Sequence, residues 1–217
     1  MNYNNQMLEK IKYLFYNLLA VWYARKGDFV RAEKYTIKLL DKAKRQRNPR
    51  AQAILIGNLA FIYKEKKDYD KAIKLCEEAL QYQITENEKF YLLHIAGESA
   101  YLKGDHIKTI NYLNKAEELA TQLGDIKSLI EIKNLIGLSY ALIEDRQKAI
   151  SYLEDSLKIA KSEKNIYYEA YINLYLANVH EKFSDETKAK EYYEESERIF
   201  KKIGLKKTLK NLQIQKI

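Results

Sequence analysis

The 217-residue sequence contains one cysteine, so Cys76 has no internal disulfide partner, and such a chain suits a reducing compartment. One proline and seven glycines leave no composition for a flexible linker, which predicts a single domain over residues 1–217. No apolar run reaches the ~20 residues that span a bilayer. The nearest, Tyr13 to Ala24 after Lys10 and Lys12, has the outline of a signal-peptide core. It falls in register with the repeats described below, however, and is read as part of the fold. His94, His106 and His180 show no metal-ligand spacing. No phosphate loop, nucleophile elbow or paired catalytic carboxylates are found. These gaps exclude the common enzyme classes. They predict a cytoplasmic, non-catalytic protein with no cofactor and no metal, and without membrane attachment.

What is present is a repeat. The block Gly27-Asp28-Phe29-Val30-Arg31-Ala32 returns as Lys67 to Ala72, Gly104 to Thr109, Glu144 to Ala149 and Ser184 to Ala189. Its Asp stands at 28, 68, 105, 145 and 185, in steps of 40, 37, 40 and 40. A fixed period in this range marks a solenoid. On either side of each Asp the apolar residues recur every three or four positions, as in Asn58, Leu59, Ile62, Tyr63 and then Tyr69, Ala72, Ile73, Cys76. This is the pattern of two helices joined by a tight turn. The Asp can cap the second helix, and Gly27 and Gly104 can end the first in the left-handed conformation. At Lys67, Glu144 and Ser184 the same turn must close without glycine.

Small residues recur at two places: Ala32, Ala72, Thr109, Ala149 and Ala189 after the turn, and Ala20, Ala60, Gly97, Gly137 and Ala177 before it. They predict close helix crossings, where a larger side chain would overpack. Asn48-Pro49, Thr85-Glu86-Asn87-Glu88, Gly124-Asp125 and Lys164-Asn165 mark the joins between repeats. The predicted fold is all-α, a right-handed α-α superhelix of five helix pairs at about 13–48, 53–84, 90–123, 130–163 and 170–203. A capping helix is expected over 205–217, where Leu205, Leu209 and Leu212 keep helical spacing.

Charge is unevenly placed. Residues 1–52 hold 12 Lys and Arg against 4 Asp and Glu, residues 53–197 hold 19 against 26, and residues 198–217 hold 7 against none. Arg31, Lys34, Lys38, Lys42 and Arg45 line one helix face without any nucleic-acid-binding motif, so the expectation is a solvated face rather than nucleic-acid contact. The basic ends and acidic middle concern partners or self-association, and a homodimer is compatible with them.

The combination of Asn58, Leu59, Ala60, Tyr63, Asp68, Tyr69, Ala72, Ala79 and Leu80 resembles the tetratricopeptide repeat, over roughly residues 13–203. The period is longer than the family's usual 34, and the proline that normally ends each repeat is absent. Period-40 units with longer second helices resemble the arrays of bacterial peptide-pheromone receptors of the Rap and PlcR type. The resemblance implies a protein- or peptide-binding groove lined by the first helix of each pair. Carried over residue by residue, the groove comprises Asn17 with Val21 and Arg25, Phe61, then Tyr91, His94 and Glu98, then Glu131 and Asn134, then Tyr171 and Asn178. Asn offers both donor and acceptor to a peptide backbone, and aromatic rings add contact area at low entropic cost. The expected centre is repeats three to five, because repeat two offers Ile54, Gly57 and Phe61 at the matching places. The family's two-carboxylate clamp is rejected: Asn17 and Asn58 stand near its positions, but Tyr91 and Ile95 replace its basic residues. Two other readings stay open, the sensor part of a peptide-responsive transcription regulator and a self-assembling scaffold.

Overall fold

A computed structural model describes residues 15–205. Ten helices and no strand occur among these residues. They are α1 (15–25), α2 (Phe29–Arg45), α3 (Pro49–Glu65), α4 (Tyr69–Ala79), α5 (Glu86–Lys103), α6 (His106–Leu123), α7 (Ile126–Leu142), α8 (Arg146–Ser162), α9 (Ile166–Lys182) and α10 (Glu186–Lys202). The fold class is the all-α helix-pair solenoid that the repeats predict. The capping helix expected over 205–217 lies outside the described residues apart from Leu205. By internal contacts the chain divides into two compact units, Met1–Lys103 and Gly104–Ile217. The first holds α1 to α5 and the second α6 to α10.

The recurring Asp is a helix cap in all five repeats. Its Oδ1 accepts the backbone N–H three residues on, at 3.1 Å for Asp28, 3.2 Å for Asp68, 3.1 Å for Asp105 and Asp145, and 3.3 Å for Asp185. Each such cap contributes about 1 kcal/mol. The first helices are capped as well. Asn48, Asp125 and Asn165 accept from Ala51, Ser128 and Tyr168, with Pro49 in the first turn of α3. Thr85 and Glu88 form a reciprocal capping box, Thr85 N–H donating to Glu88 at 2.8 Å and Glu88 N–H to Thr85 Oγ1 at 3.4 Å. These caps open α3, α5, α7 and α9 about one turn before 53, 90, 130 and 170.

The turns without glycine adopt the same geometry as those with it. Lys67, Glu144 and Ser184 sit at φ 64°, 66° and 60°. Each is followed by an Asp whose N–H donates back five residues, to Tyr63, Tyr140 and His180, the bond that closes a helix C-terminus. The step of 37 has a local cause. α4 has 11 residues where α2 has 17, and only part of the loss is returned in the loop after it. Repeat two therefore lacks the longer second helix expected of a period-40 unit.

The small residues seat the crossings. Ala32, Ala72, Thr109 and Ala149 are fully buried. A Cβ at Gly137 would meet Leu153 Cγ at 2.8 Å and the Ala149 carbonyl at 3.1 Å, so the two small series face each other across the α7–α8 pair. Beside them a ring pair recurs. Tyr23 stacks on Tyr35, Tyr140 on Tyr152 and His180 on Tyr192, with centroids 5.7, 5.6 and 5.4 Å apart. His180 is thus a core residue in a tyrosine's place, 1% exposed, its Nδ1 3.2 Å from Asp185 Oδ2. Ser156 and Ser196 donate to the Ile130 and Ala170 carbonyls, tying the second helix of each pair to the first.

Candidate functional site

In the first unit, α1, α3 and α5 border a cavity of about 280 Å³. α1 contributes Asn17, Val21 and Arg25, α2 contributes Thr36, α3 contributes Leu55, Asn58, Phe61 and Ile62, and α5 contributes Tyr91. A second cavity of about 200 Å³ shares Asn58 and Tyr91 and continues along Ile54, Gly57, Asn87 and Leu92. α5 comes close to α3 at this glycine, where a Cβ at Gly57 would stand 2.8 Å from the Leu92 Cδ2 methyl.

The walls are mostly apolar, and the polar groups on them are few. Thr36 is spent on the Ala32 carbonyl at 2.8 Å. Asn17, Arg25 and Asn58 make no side-chain hydrogen bond or ion pair with another described residue. Each therefore has its bonding capacity open to the cavity or to solvent. Tyr91 keeps 40% of its surface exposed. Its hydroxyl is pushed up to about 12, first by burial and then by Cys76 and Glu98, so it remains a neutral donor and acceptor. A ladder along one edge fixes the wall: Lys64 Nζ lies 5.1 Å from the Phe61 ring centroid and 2.6 Å from Glu98 Oε2. His94 stacks on Phe90 at 5.7 Å and stands 3.9 Å from Glu98.

The sequence-predicted groove residues divide between the two units. Asn17, Phe61 and Tyr91 meet in the first-unit cavity, while His94 and Glu98 form its buttressed edge. In the second unit, Glu131 accepts from the Tyr168 hydroxyl, and Tyr171 packs edge-on against Phe200 at 5.1 Å. Asn134 is 6% exposed with its Oδ1 unpaired among the described residues. Asn178 lines a separate cavity of about 400 Å³ between α9 and α10, with Leu174, Ala177, Glu181, Ala189 and Tyr193. Repeat two, which gave the sequence reading Phe61 but not the centre of its groove, supplies much of the first-unit cavity, Ile54, Gly57 and Phe61 included. Asn58 was missed as a groove residue. Its signal lay in the register, where Leu18, Ile95, Leu135 and Tyr175 occupy the equivalent places and Asn58 alone carries an amide.

No group of three or more His, Cys, Asp or Glu able to hold a metal occurs among the described residues, and no described helix is long and apolar enough to cross a membrane.

The five capped turns, the paired small residues and the helix-lined cavity have a counterpart among known families, whose sequence pattern matches residues 13–85 and 88–162. The chain belongs to the tetratricopeptide-repeat family. Among curated proteins it is similar to the human outer dynein arm-docking complex subunit 4, at 27% identity over 129 residues, 59% of this chain and 19% of that one. It thus spans about a fifth of the length of that relative. Among solved tetratricopeptide-type structures it is similar to the apo form of RapI, with a TM-score of 0.77 and 16% identity over 88% of this chain and 71% of that one. It is also similar to a Rap protein complexed with Competence and Sporulation Factor, at a TM-score of 0.64 and 16% identity over 87% and 54%.

Proposed function

We propose that this tetratricopeptide array is a non-catalytic interaction module of the reducing cytoplasm, and that it holds an extended peptide segment in the cavity between α1, α3 and α5. The observation that carries the reading is the set of three uncommitted polar side chains, Asn17, Arg25 and Asn58, on an otherwise apolar wall. An amide beside an apolar surface can take both the N–H and the C=O of an extended backbone whatever its sequence. Val21, Leu55 and Phe61 then receive an apolar side chain, and the exposed Tyr91 adds contact area. Arg25 favours a ligand with a carboxylate near one end of the bound stretch. The complex of a Rap protein with Competence and Sporulation Factor, named above, supports the reading at the level of fold.

The test is a peptide array probed with the purified protein, followed by calorimetry on a hit. Leaving one buried hydrogen-bonding group unpaired costs about 1–3 kcal/mol, so Asn17→Ala and Asn58→Ala should each weaken a hit about tenfold or more. Asn178→Ala, in the α9–α10 cavity, should leave it unchanged. The reverse pattern would move the ligand toward repeats three to five, on which the sequence alone had centred it.

A further inference from the structure

The outward face of α1 is built like an interior. Phe15, Leu18 and Trp22 run along one ridge and are 57%, 60% and 53% exposed. In the other repeats the places of Phe15 are taken by Leu55, Leu92, Ile132 and Ile172, all 3% exposed or less. The places of Trp22 are taken by Ile62, Ser99, Ser139 and Val179, all 3% exposed or less. Leu55 and Ile62 belong to α3, which packs on α2 of the preceding repeat and shares with α1 the cavity that these two residues line. The ridge on α1 is the same surface with no helix over it among the described residues.

The ionic pattern of the seat is also incomplete. Two residues before the capping Asp, Lys66 pairs with Glu33 of α2 at 2.7 Å, and Lys103 pairs with Asp70 of α4. In both cases a lysine at the end of a first helix meets a carboxylate within the first five residues of the preceding second helix. Lys26 holds that place on α1 and has no ion-pair partner among the described residues. Exposed Lys38 of α2 is held over the Tyr16 and Tyr35 rings at 5.3 and 5.6 Å, while Arg31 is paired with Asp28 at 3.3 Å.

We infer that this ridge is a docking surface for an amphipathic helix of another protein. The occupant carries an apolar stripe and a carboxylate in its first two turns, and it packs on α1 as the preceding repeat packs on α3. Charge complementarity selects it. A second copy meeting this face with its own would set Lys26 and Lys38 against their duplicates, a like-charge contact. Residues 1–14 bring one Glu and two Lys, the wrong balance for the seat. The ridge lies apart from the α1–α3–α5 cavity, so the two surfaces are tested independently.

Trp22 is the single tryptophan of the chain, so its fluorescence reports on this face alone. The probes are two 18-residue amphipathic helices with the same Leu–Ala stripe, one flanked by Glu and one by Lys. The expected result is a saturable blue shift of Trp22 emission with the Glu-flanked helix and none with the Lys-flanked one. Leu18→Glu and Lys26→Glu, both at exposed positions, should each weaken it about tenfold or more, and Asn58→Ala should not. Equal shifts with both helices, or none with either, would overturn the inference. A blue shift of the protein alone as its concentration rises would overturn it in favour of a second copy. A red shift on deleting residues 1–14 would overturn it in favour of that segment.

Discussion

Gly137 on α7 lies directly beneath Leu153 on α8, with room for a hydrogen atom and not for a methyl group. A Cβ there would come within 2.8 Å of Leu153 Cγ, a branch point close to the α8 backbone, and 3.1 Å from the Ala149 carbonyl. Gly57 on α3 shows the same 2.8 Å figure against Leu92, but the atom met is the Cδ2 methyl at the end of the side chain. The two glycines therefore differ in what must move.

Gly137→Ala should destabilise the protein, because an overpacking cost of about 1–3 kcal/mol outweighs a gain in helix propensity of up to about 1 kcal/mol. Gly57→Ala should be neutral or slightly stabilising, since Leu92 can turn its methyl aside. Thermal melts of both variants check the contrast. A Gly137→Ala variant as stable as the native protein would show that the α7–α8 crossing is loose.

Lys67 and Glu144 are exposed and sit at positive φ, a conformation that L side chains occupy at a cost and glycine does not. Lys67→Gly and Glu144→Gly should each stabilise by about 0.5–1 kcal/mol, a rise in Tm of roughly 2–4 °C per kcal/mol for a domain of this size. A fall in Tm for both would mean that the side chains contribute more than the backbone strain costs.

Glu33 has its carboxyl held below its ordinary value of 4.5. Burial raises it, but hydrogen bonds from Lys66 and Tyr63 and the charges of Lys66 and Lys71 outweigh burial. Glu88 is lowered in the same way by Thr85 and Arg50 against burial. For such a group the unfolded chain binds the proton more readily, so its contribution is whole above pH 4.5 and is lost as pH falls below it. The difference in Tm between the native protein and Glu33→Gln should be large at neutral pH and vanish in acid. A difference that stays constant with pH would separate the effect from the carboxylate's charge.

Cys76 is fully buried, and its thiol is pushed up to about 12, chiefly by burial and next by Glu77, against an opposing Lys64. Thiolate is the reactive form, so a thiol reagent should leave the folded protein unmodified at mildly alkaline pH. Reaction should appear with denaturant, in step with loss of helix by circular dichroism. Labelling of the native protein at the rate of a free thiol would show that α4 opens locally.

The basic first repeat should contribute to any association through charge. Exposed charges more than about 8–10 Å apart are screened at physiological salt, so binding at Lys26, Arg31 and Lys38 should weaken as salt is raised. Titrations at low and high salt check it, and an unchanged affinity would assign the contact to the apolar ridge alone.

Much of the fold was legible because each cue acts over short range. A capping Asp bonds a backbone amide three residues away, so Asp28, Asp68, Asp105, Asp145 and Asp185 mark five turns in the sequence alone. His180 keeps register with Tyr23, Tyr63 and Tyr140, and it is buried in the stacking place those tyrosines mark. The site was legible only in part. Register assigned Asn17, Phe61 and Tyr91 to a groove, but it treated Glu131, Asn134 and Tyr171 as equals of these. Glu131 is taken up by a hydroxyl, Asn134 is buried and Tyr171 packs on Phe200, and which side chains find partners depends on residues 30–40 positions away.

The sequence by itself determined the repeat, the helix pairs, their caps and the crossings that require small residues, since all of these follow from a periodic pattern and from bonds between near neighbours. Tertiary structure alone decided where a cavity opens. Gly57 reads as a gap in a helix until Leu92 is seen against it, and Asn58 as an ordinary family match until α1 and α5 leave its amide uncommitted. The exposure of Trp22 belongs with these. The other repeats bury the residue at this place, and only the arrangement of helices around Trp22 shows that it stays half exposed among the described residues.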